Sequence, residues 1–510
     1  MSNTSRIAKN TLALYFRQIL IMLVSLYTVR VVLATLGAED YGIYNVVAGV
    51  VTMFGFLSGA MATASQRYFS FEMGKGTETS LSKIFSVTLS IYALLCLVII
   101  LFAETLGLWF VNYKLVIPEN RMAAANVIYQ CAVGSFLLTV MTTPYMSDII
   151  AHENMNVYAY VSIVEAVLKL VVVLVLRIGH ADKLVLYGVL LLCVAAINTS
   201  LYRSYCRRRY TECRFRLLWD GKLFREMFSF IGWTLFGQFT TVVRYQAVTI
   251  LLNQFFTPVV VAAKSIAQQV TNAVNVFSAN FNTSLYPPII KEYSFGNKEE
   301  MFRLINSGCK MTFFLMWVFT LPLVLHLDFV MSLWLKEVPE WTLLFTRLSL
   351  IEVLINSLSY PISTAARAPG KMRAYELTLG IMQILIFAIS LVLFKAGFPA
   401  WSTFAVGIGM TALMMIVRLF IVRNLVQFSI ARFAVEVMLP IFAICLVSAG
   451  ISIFSYMLFP ETVIFRIFHI FLCVAVSAVS MLFIGMDRNQ REKTVLMLKR
   501  KLLHSNGGEK

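Results

Sequence analysis

The chain has 510 residues, 59% of them hydrophobic and 14% charged, with 43 Lys and Arg against 26 Asp and Glu. A soluble domain carries about 25% charged residues, so this composition excludes a soluble enzyme or binding module and points to an integral membrane protein. The net charge of +17 does not indicate nucleic acid as a partner, because the basic residues sit in loops between apolar runs rather than on one polar domain face.

Apolar runs longer than about 18 residues recur with short polar gaps, which predicts an all-α membrane protein; a transmembrane barrel would show short alternating segments. About fourteen spans follow in chain order. The first two cover about 10–36 and 41–70, parted by a turn at Gly37-Ala38-Glu39-Asp40, and the third to sixth about 81–110, 121–147, 156–178 and 183–205. A basic linker over 207–222 comes next. Spans seven to twelve fall near 223–255, 258–289, 303–330, 340–362, 373–396 and 400–425, and a final pair near 433–458 and 462–485. The tail from 487 is polar and basic, with Val495, Leu498 and Leu502 at helical spacing beside Lys499, Arg500 and Lys501, a pattern suited to a helix lying on anionic lipid.

With the N-terminus on the cytoplasmic side, the inside loops collect Arg67, Lys75, Arg207, Arg208, Arg209, Lys291, Arg303, Arg367 and the tail, several times the basic charge outside. Both termini are therefore expected to be cytoplasmic. The stretch after Arg6 and Lys9 is long and lacks a small-residue cleavage site, so it reads as a first retained helix. The eight cysteines lie mostly inside apolar runs, without a CxxC pair or a histidine at ligand spacing. Neither metal, disulfide nor cofactor is expected.

Shifting the chain on itself by 220 residues lays Gln18 on Gln238, Ser58 on Ser278, Glu72 on Glu292 and Gly76 on Gly296. A shift of 217 lays Pro144 on Pro361, Met155 on Met372 and Tyr158 on Tyr375. The repeat unit holds six spans, an even number, so its copies share one orientation. This predicts an N-lobe over 1–206 and a C-lobe over 223–428, related by a pseudo-two-fold axis along the membrane normal, plus two added helices over 429–486.

Polar residues inside spans are the site signal, because each amide or charge in hydrocarbon costs several kcal/mol unless it meets a partner or water. On the eighth span Lys264, Gln268, Thr271, Asn272, Asn275, Ser278 and Asn282 share one helical arc of about 120°, opposite Ile266, Val270, Ala273, Val274, Phe277 and Phe281. Two readings compete: hydrogen-bonded contact with neighbouring helices, and the lining of a hydrated cavity whose uncharged amides and hydroxyls suit sugar hydroxyls. Arg17, Arg30, Arg244 and Lys264 are cations within spans, which ask for an anionic ligand such as phosphate unless each finds a carbonyl or reaches the interface. Among the acids, Glu165 is expected to pair with Lys169 one turn on, and Glu352 with nearby Arg347; either acid is also a candidate for ion coupling. No GxxxxGK[ST], HExxH or GxSxG occurs, and the glycines of Gly407-Ile408-Gly409 lie in an apolar span where packing is their usual use. An enzyme is not expected.

The segments IAKNTLALYFRQILIMLVSLYTVRVVLATLGAEDYGIYNVVAGV and SQRYFSFEMGKG resemble polysaccharide-export flippases, the Wzx-type O-antigen translocases of the MATE-like MOP superfamily. The resemblance implies a carrier that turns an undecaprenyl-pyrophosphate-linked oligosaccharide from the inner to the outer leaflet of the bacterial inner membrane by alternating access, for lipopolysaccharide or related surface polysaccharide. It also implies a cationic cavity between the lobes, for which Arg17, Arg244 and Lys264 are the candidates toward the pyrophosphate and Gln268, Asn272 and Asn275 toward sugars, with Arg30, on another face of the first span, and Gln238 as further substrate-binding candidates. Partners would be the lipid-linked substrate, membrane lipids, a polysaccharide polymerase and assembly proteins. The alternatives are a drug/cation antiporter or a lipid II flippase of the same superfamily, and, from another class, a membrane glycosyltransferase or polymerase, which lacks the long catalytic loop it would need.

Overall fold

The computed structural model describes residues 3–485 except 53, 77, 116, 179–181, 215–219, 336 and 459–461, together with residue 491. The tail helix expected at 495–502 and the centre of the basic linker lie outside the described residues. Helices follow one another without a strand among the described residues: α1 Asn3–Thr52, α2 Gly55–Lys75, α3 Glu78–Phe102, α4 Leu108–Tyr113, α5 Met122–Ala151, α6 Met155–Ile178 and α7 Lys183–Arg209. After the linker come α8 Gly221–Phe255, α9 Pro258–Ser294, α10 Lys298–Leu325, α11 Leu327–Trp334, α12 Thr342–Ser357, α13 Ser359–Arg367, α14 Arg373–Lys395, α15 Ser402–Val426, α16 Ile430–Phe433, α17 Leu439–Leu458 and α18 Val463–Ser480.

Eleven helical stretches of the described residues are long and apolar enough to cross a membrane, and the pair Glu39–Val51 and Gly55–Lys75, bent by 44°, makes a twelfth. The expectation of about fourteen exceeds this count by α8 and α9. Both are of spanning length, 35 and 37 residues, but they carry Arg244, Lys264 and the polar stripe, and so fall short in apolarity. Lipid-facing surface is plain on α17 and α18, where Phe442, Leu446, Phe454, Met457, Ile464 and Phe471 are exposed.

Positions paired by the two sequence shifts share backbone conformations. Gly76 ends α2 in the left-handed region at φ 74°, and Gly296, its counterpart at a shift of 220, follows α9 at φ 79°. At a shift of 217, Glu153 (φ 60°) stands where the second copy has Gly370 (φ 80°). Gly37, at φ 82° and ψ 167°, kinks α1 where the sequence predicts the first turn.

The chain folds as two compact units. The first comprises Met1–Phe239, Thr283–Met301 and Gly370–Leu377, and the second Thr240–Asn282, Phe302–Pro369 and Thr378–Lys510. This division differs from one drawn at the linker, because α8 and α9 are each shared between the units; at 1.5 Å per residue they run about 50 Å or more. In the first unit α5 packs on α7 and α2, and α1 on α6, around a core that includes Val47, Ile128, Tyr129 and Val133. In the second, α12 and α13 pack on α15, and α17 on α18; one core there joins Leu251, Leu252, Ala263, Ala267, Phe345 and Phe404.

Close approach within the first unit depends on Gly74, where a Cβ would fall 1.6 Å from Ser294 Oγ and 2.9 Å from the Lys291 carbonyl oxygen. Gly74→Ala is expected to destabilise the protein by about 1–3 kcal/mol through overpacking, seen as a lower Tm of the purified protein. Gly232→Ala, whose Cβ meets nothing within 4 Å, should leave Tm unreduced.

Candidate functional site

In the second unit α8, α9, α12 and α15 surround a small polar cavity of about 50 Å³, lined by Arg244, Tyr245, Lys264, Gln268, Thr271, Glu352 and Thr403 among others. Arg244 is buried and donates to Glu352 Oε1, which also accepts from the Thr411 hydroxyl at 3.1 Å. The sequence expectation for Glu352 was Arg347, on the same helix; the structure pairs it across helices with Arg244, which approaches more directly from α8. Gly407 makes room for this pair, since a Cβ there would lie 2.9 Å from Glu352 Oε2 and 3.4 Å from Arg244 Nη2. A packing use for that glycine is thus observed.

Lys264 is also buried, and its Nζ donates to the Tyr245 carbonyl at 2.9 Å and to the Thr249 hydroxyl. It has no ion-pair partner among the described residues. The cavity therefore holds two cations and one acid, so its charge is balanced toward an anion.

Along the polar stripe the amides make different contacts. Gln268 Nε2 donates to Asn272 Oδ1 at 2.9 Å along the helix surface, and Asn272 is exposed. Asn275 Oδ1 instead accepts from the Tyr360 hydroxyl at 3.2 Å, and Asn282 donates to Thr312 Oγ1 at 3.4 Å. These two amides join helices. Gln238 does the same in the first unit: its amide accepts from Ala60 N–H at 3.1 Å and donates to the Phe56 carbonyl at 2.7 Å, beside Gly59, whose missing Cβ leaves 3.0 Å to the amide. The structure thus holds Gln238 to the α2 backbone.

In the first unit Arg17 is buried with its guanidinium 4.6 Å over the Tyr158 ring, whereas Arg30 is exposed on α1 and is not brought to the same place. Glu165 pairs with Lys169 at 2.7 Å, as the one-turn spacing predicts, and also accepts from Asn198 at 3.0 Å.

Sequence reasoning missed Glu153. Its side chain is buried, forms an ion pair with Arg6 at 2.7 Å and accepts from Lys291 at 2.8 Å, while Asn10 Nδ2 donates to its carbonyl at 3.0 Å. These groups adjoin a cavity of about 510 Å³ lined also by His152, Pro288 and Glu292. A left-handed backbone costs a non-glycine residue roughly 1–2 kcal/mol, so a glutamate at this turn is held by its ion pairs. The signal was available: the repeat aligns Glu153 with Gly370.

Over residues 7–292, more than half of the chain, the sequence matches the family model described as polysaccharide biosynthesis protein. The chain belongs to that family. No curated protein matches the sequence of this family member. Its fold is that of MATE transporters of the MOP superfamily. Solved structures similar to it include a multidrug resistance MATE family transporter of the MOP superfamily in an outward-facing conformation, with a TM-score of 0.72, 12% identity, and 84% of this chain and 96% of that one covered. MATE in the bent conformation scores 0.71 at the same identity and coverage. A MOP superfamily transporter from Pyrococcus furiosus, described by the reverse polarity of its binding pocket, scores 0.68 with 12% identity over 84% of this chain and 96% of that one.

For this polysaccharide biosynthesis family member, Glu352→Ala is expected to destabilise the fold by about 3–5 kcal/mol by leaving Arg244 buried and unpaired, while Arg244→Met combined with Glu352→Met is milder. Tm values of the two variants check this ordering.

Proposed function

We propose that the protein is a flippase that carries an undecaprenyl-pyrophosphate-linked oligosaccharide from the inner to the outer leaflet of the inner membrane, for surface polysaccharide such as O-antigen. The observation that carries the reading is the buried Lys264 ammonium, answered only by a carbonyl and a hydroxyl, in a cationic cavity of a polysaccharide biosynthesis family member. A pyrophosphate supplies the missing anion, and the neighbouring Gln268 and Asn272 amides offer donors and acceptors for sugar hydroxyls. Arg17, buried in the first unit, is a further candidate cation considered by itself. Polymerase and assembly proteins would take the product on the far side.

Movement requires contacts that break and reform, and the Arg6–Glu153–Lys291 cluster, tying α1 and the α5–α6 turn to α9, is the proposed latch for one state. A cation antiporter reading is disfavoured because Glu165 and Glu352 already hold cationic partners. A lipid II flippase would use the same pyrophosphate chemistry, so the glycan must be tested directly.

In a strain whose only copy of the protein is mutated, Lys264→Ala and Arg17→Ala should each lower surface polysaccharide by roughly tenfold or more at unchanged protein level, as loss of one charge-assisted contact implies. Near-normal polysaccharide from both would remove the pyrophosphate site. Rescue of a lipid II flippase deficiency instead of polysaccharide export would reassign the substrate. Glu153→Gly, which keeps the left-handed turn without strain, should fold and reach the membrane yet export less. Reporter fusions at both termini should read cytoplasmic.

A further inference from the structure

Donors of metal-binding type from distant parts of the sequence meet where α5 ends and α7 gives way to the linker, in two groups that share Asp148: Asp148 with Cys206 and Cys213, and Asp148 with His152 and Glu212. Asp148 and His152 are one turn apart on α5; Cys206 lies in the last turn of α7 and Cys213 in the short 3₁₀ turn Thr211–Cys213. Asp148, Cys206 and Cys213 are fully buried, and their ligand atoms lie within 4.8 Å of one another. The Cys213 thiol donates to Asp148 Oδ2 at 3.2 Å, while Asp148 Oδ1 has no hydrogen-bond partner. His152 Nε2 stands 3.9 Å from that oxygen and 2.8 Å from Glu212 Oε1.

A buried carboxylate facing two thiols, with one oxygen left over, is a costly arrangement unless a cation meets it. No Lys or Arg forms an ion pair with Asp148 among the described residues. The imidazole is held in place from behind: Tyr210 stacks on His152 with ring centroids 4.1 Å apart and planes 2° from parallel, and the Tyr210 hydroxyl accepts from Asn154 at 2.6 Å. The stack fixes the direction of Nε2, which faces both Asp148 and Glu212. Arg207, Arg208 and Arg209 are exposed in the last turn of α7.

We propose that Asp148, Cys206 and Cys213, with His152 as fourth donor, form a structural binding site for a divalent ion of the Zn²⁺ class. Two sulfurs, an imidazole nitrogen and a carboxylate oxygen are the donor set that a borderline-soft, four-coordinate ion takes. Binding turns the two thiols into thiolates and releases their protons to solvent. The ion would fasten the start of the basic linker to the end of α5. The sequence reading expected no metal because Asp148 and His152 precede the two cysteines by more than fifty residues, so no local spacing reveals the set.

The test uses the full-length purified protein in detergent, stripped with chelator and titrated with Zn²⁺ alone, or with Co²⁺ as a spectroscopic probe. One equivalent per chain and a thiolate-to-cobalt charge-transfer band are expected. Both should vanish in Cys206→Ser combined with Cys213→Ser, and persist in Cys193→Ser, which alters an exposed thiol. His152→Gln keeps the thiols and should weaken binding by about tenfold or more. Zn²⁺ should also shield two thiols from maleimide in the wild type. Absence of stoichiometric metal with unchanged thiol labelling, or a Cys206–Cys213 disulfide in the protein isolated from the cell, would overturn the proposal.

Discussion

A charge inside a membrane-spanning helix bundle must be met by another protein group, by water or by a ligand, and this constraint organises the molecule. Glu153 is met by Arg6 and Lys291, Glu352 by Arg244, and Glu165 by Lys169. Lys264 differs from these because only dipoles answer it. An ammonium solvated by a carbonyl and a hydroxyl is held in place without being neutralised, which leaves its field available to an anion entering the cavity.

The two halves solve the same backbone problem with different residues. Where the second copy turns at Gly370, the first turns at Glu153, and the strain of that substitution is offset by two cations. Residues in left-handed conformations that are not glycine tend to mark sites where strain serves a task. Here the strained turn lies between α5 and α6 and is tied to α9, so the turn couples a helix of the second copy to the first six.

Much of the fold was legible in the sequence because membrane helices declare themselves by length and apolarity, and the duplication by repeated punctuation at a near-constant offset. The weakest signals were α8 and α9, since the polar residues that make them interesting are the same ones that lower their apolarity. The polar stripe was legible as a stripe, yet periodicity cannot say what a face looks at. Asn275 and Asn282 turned out to join helices, Gln238 to brace α2, Gln268 to line the cavity, and Asn272 to be exposed.

The sequence by itself determined the membrane class, the order of helices, the kink at Gly37 and the Glu165–Lys169 pair, all of which depend on neighbours within a few residues or on composition over about twenty. Only the tertiary structure decided that Glu352 answers Arg244 rather than Arg347, that Glu153 is clamped, and that Asp148 meets two cysteines. Such pairings join residues 58 to 147 positions apart, and no local periodicity encodes which helix will pack against which. Helix packing places them, and the high cost of an unanswered charge in a dry interior then selects which partners remain together.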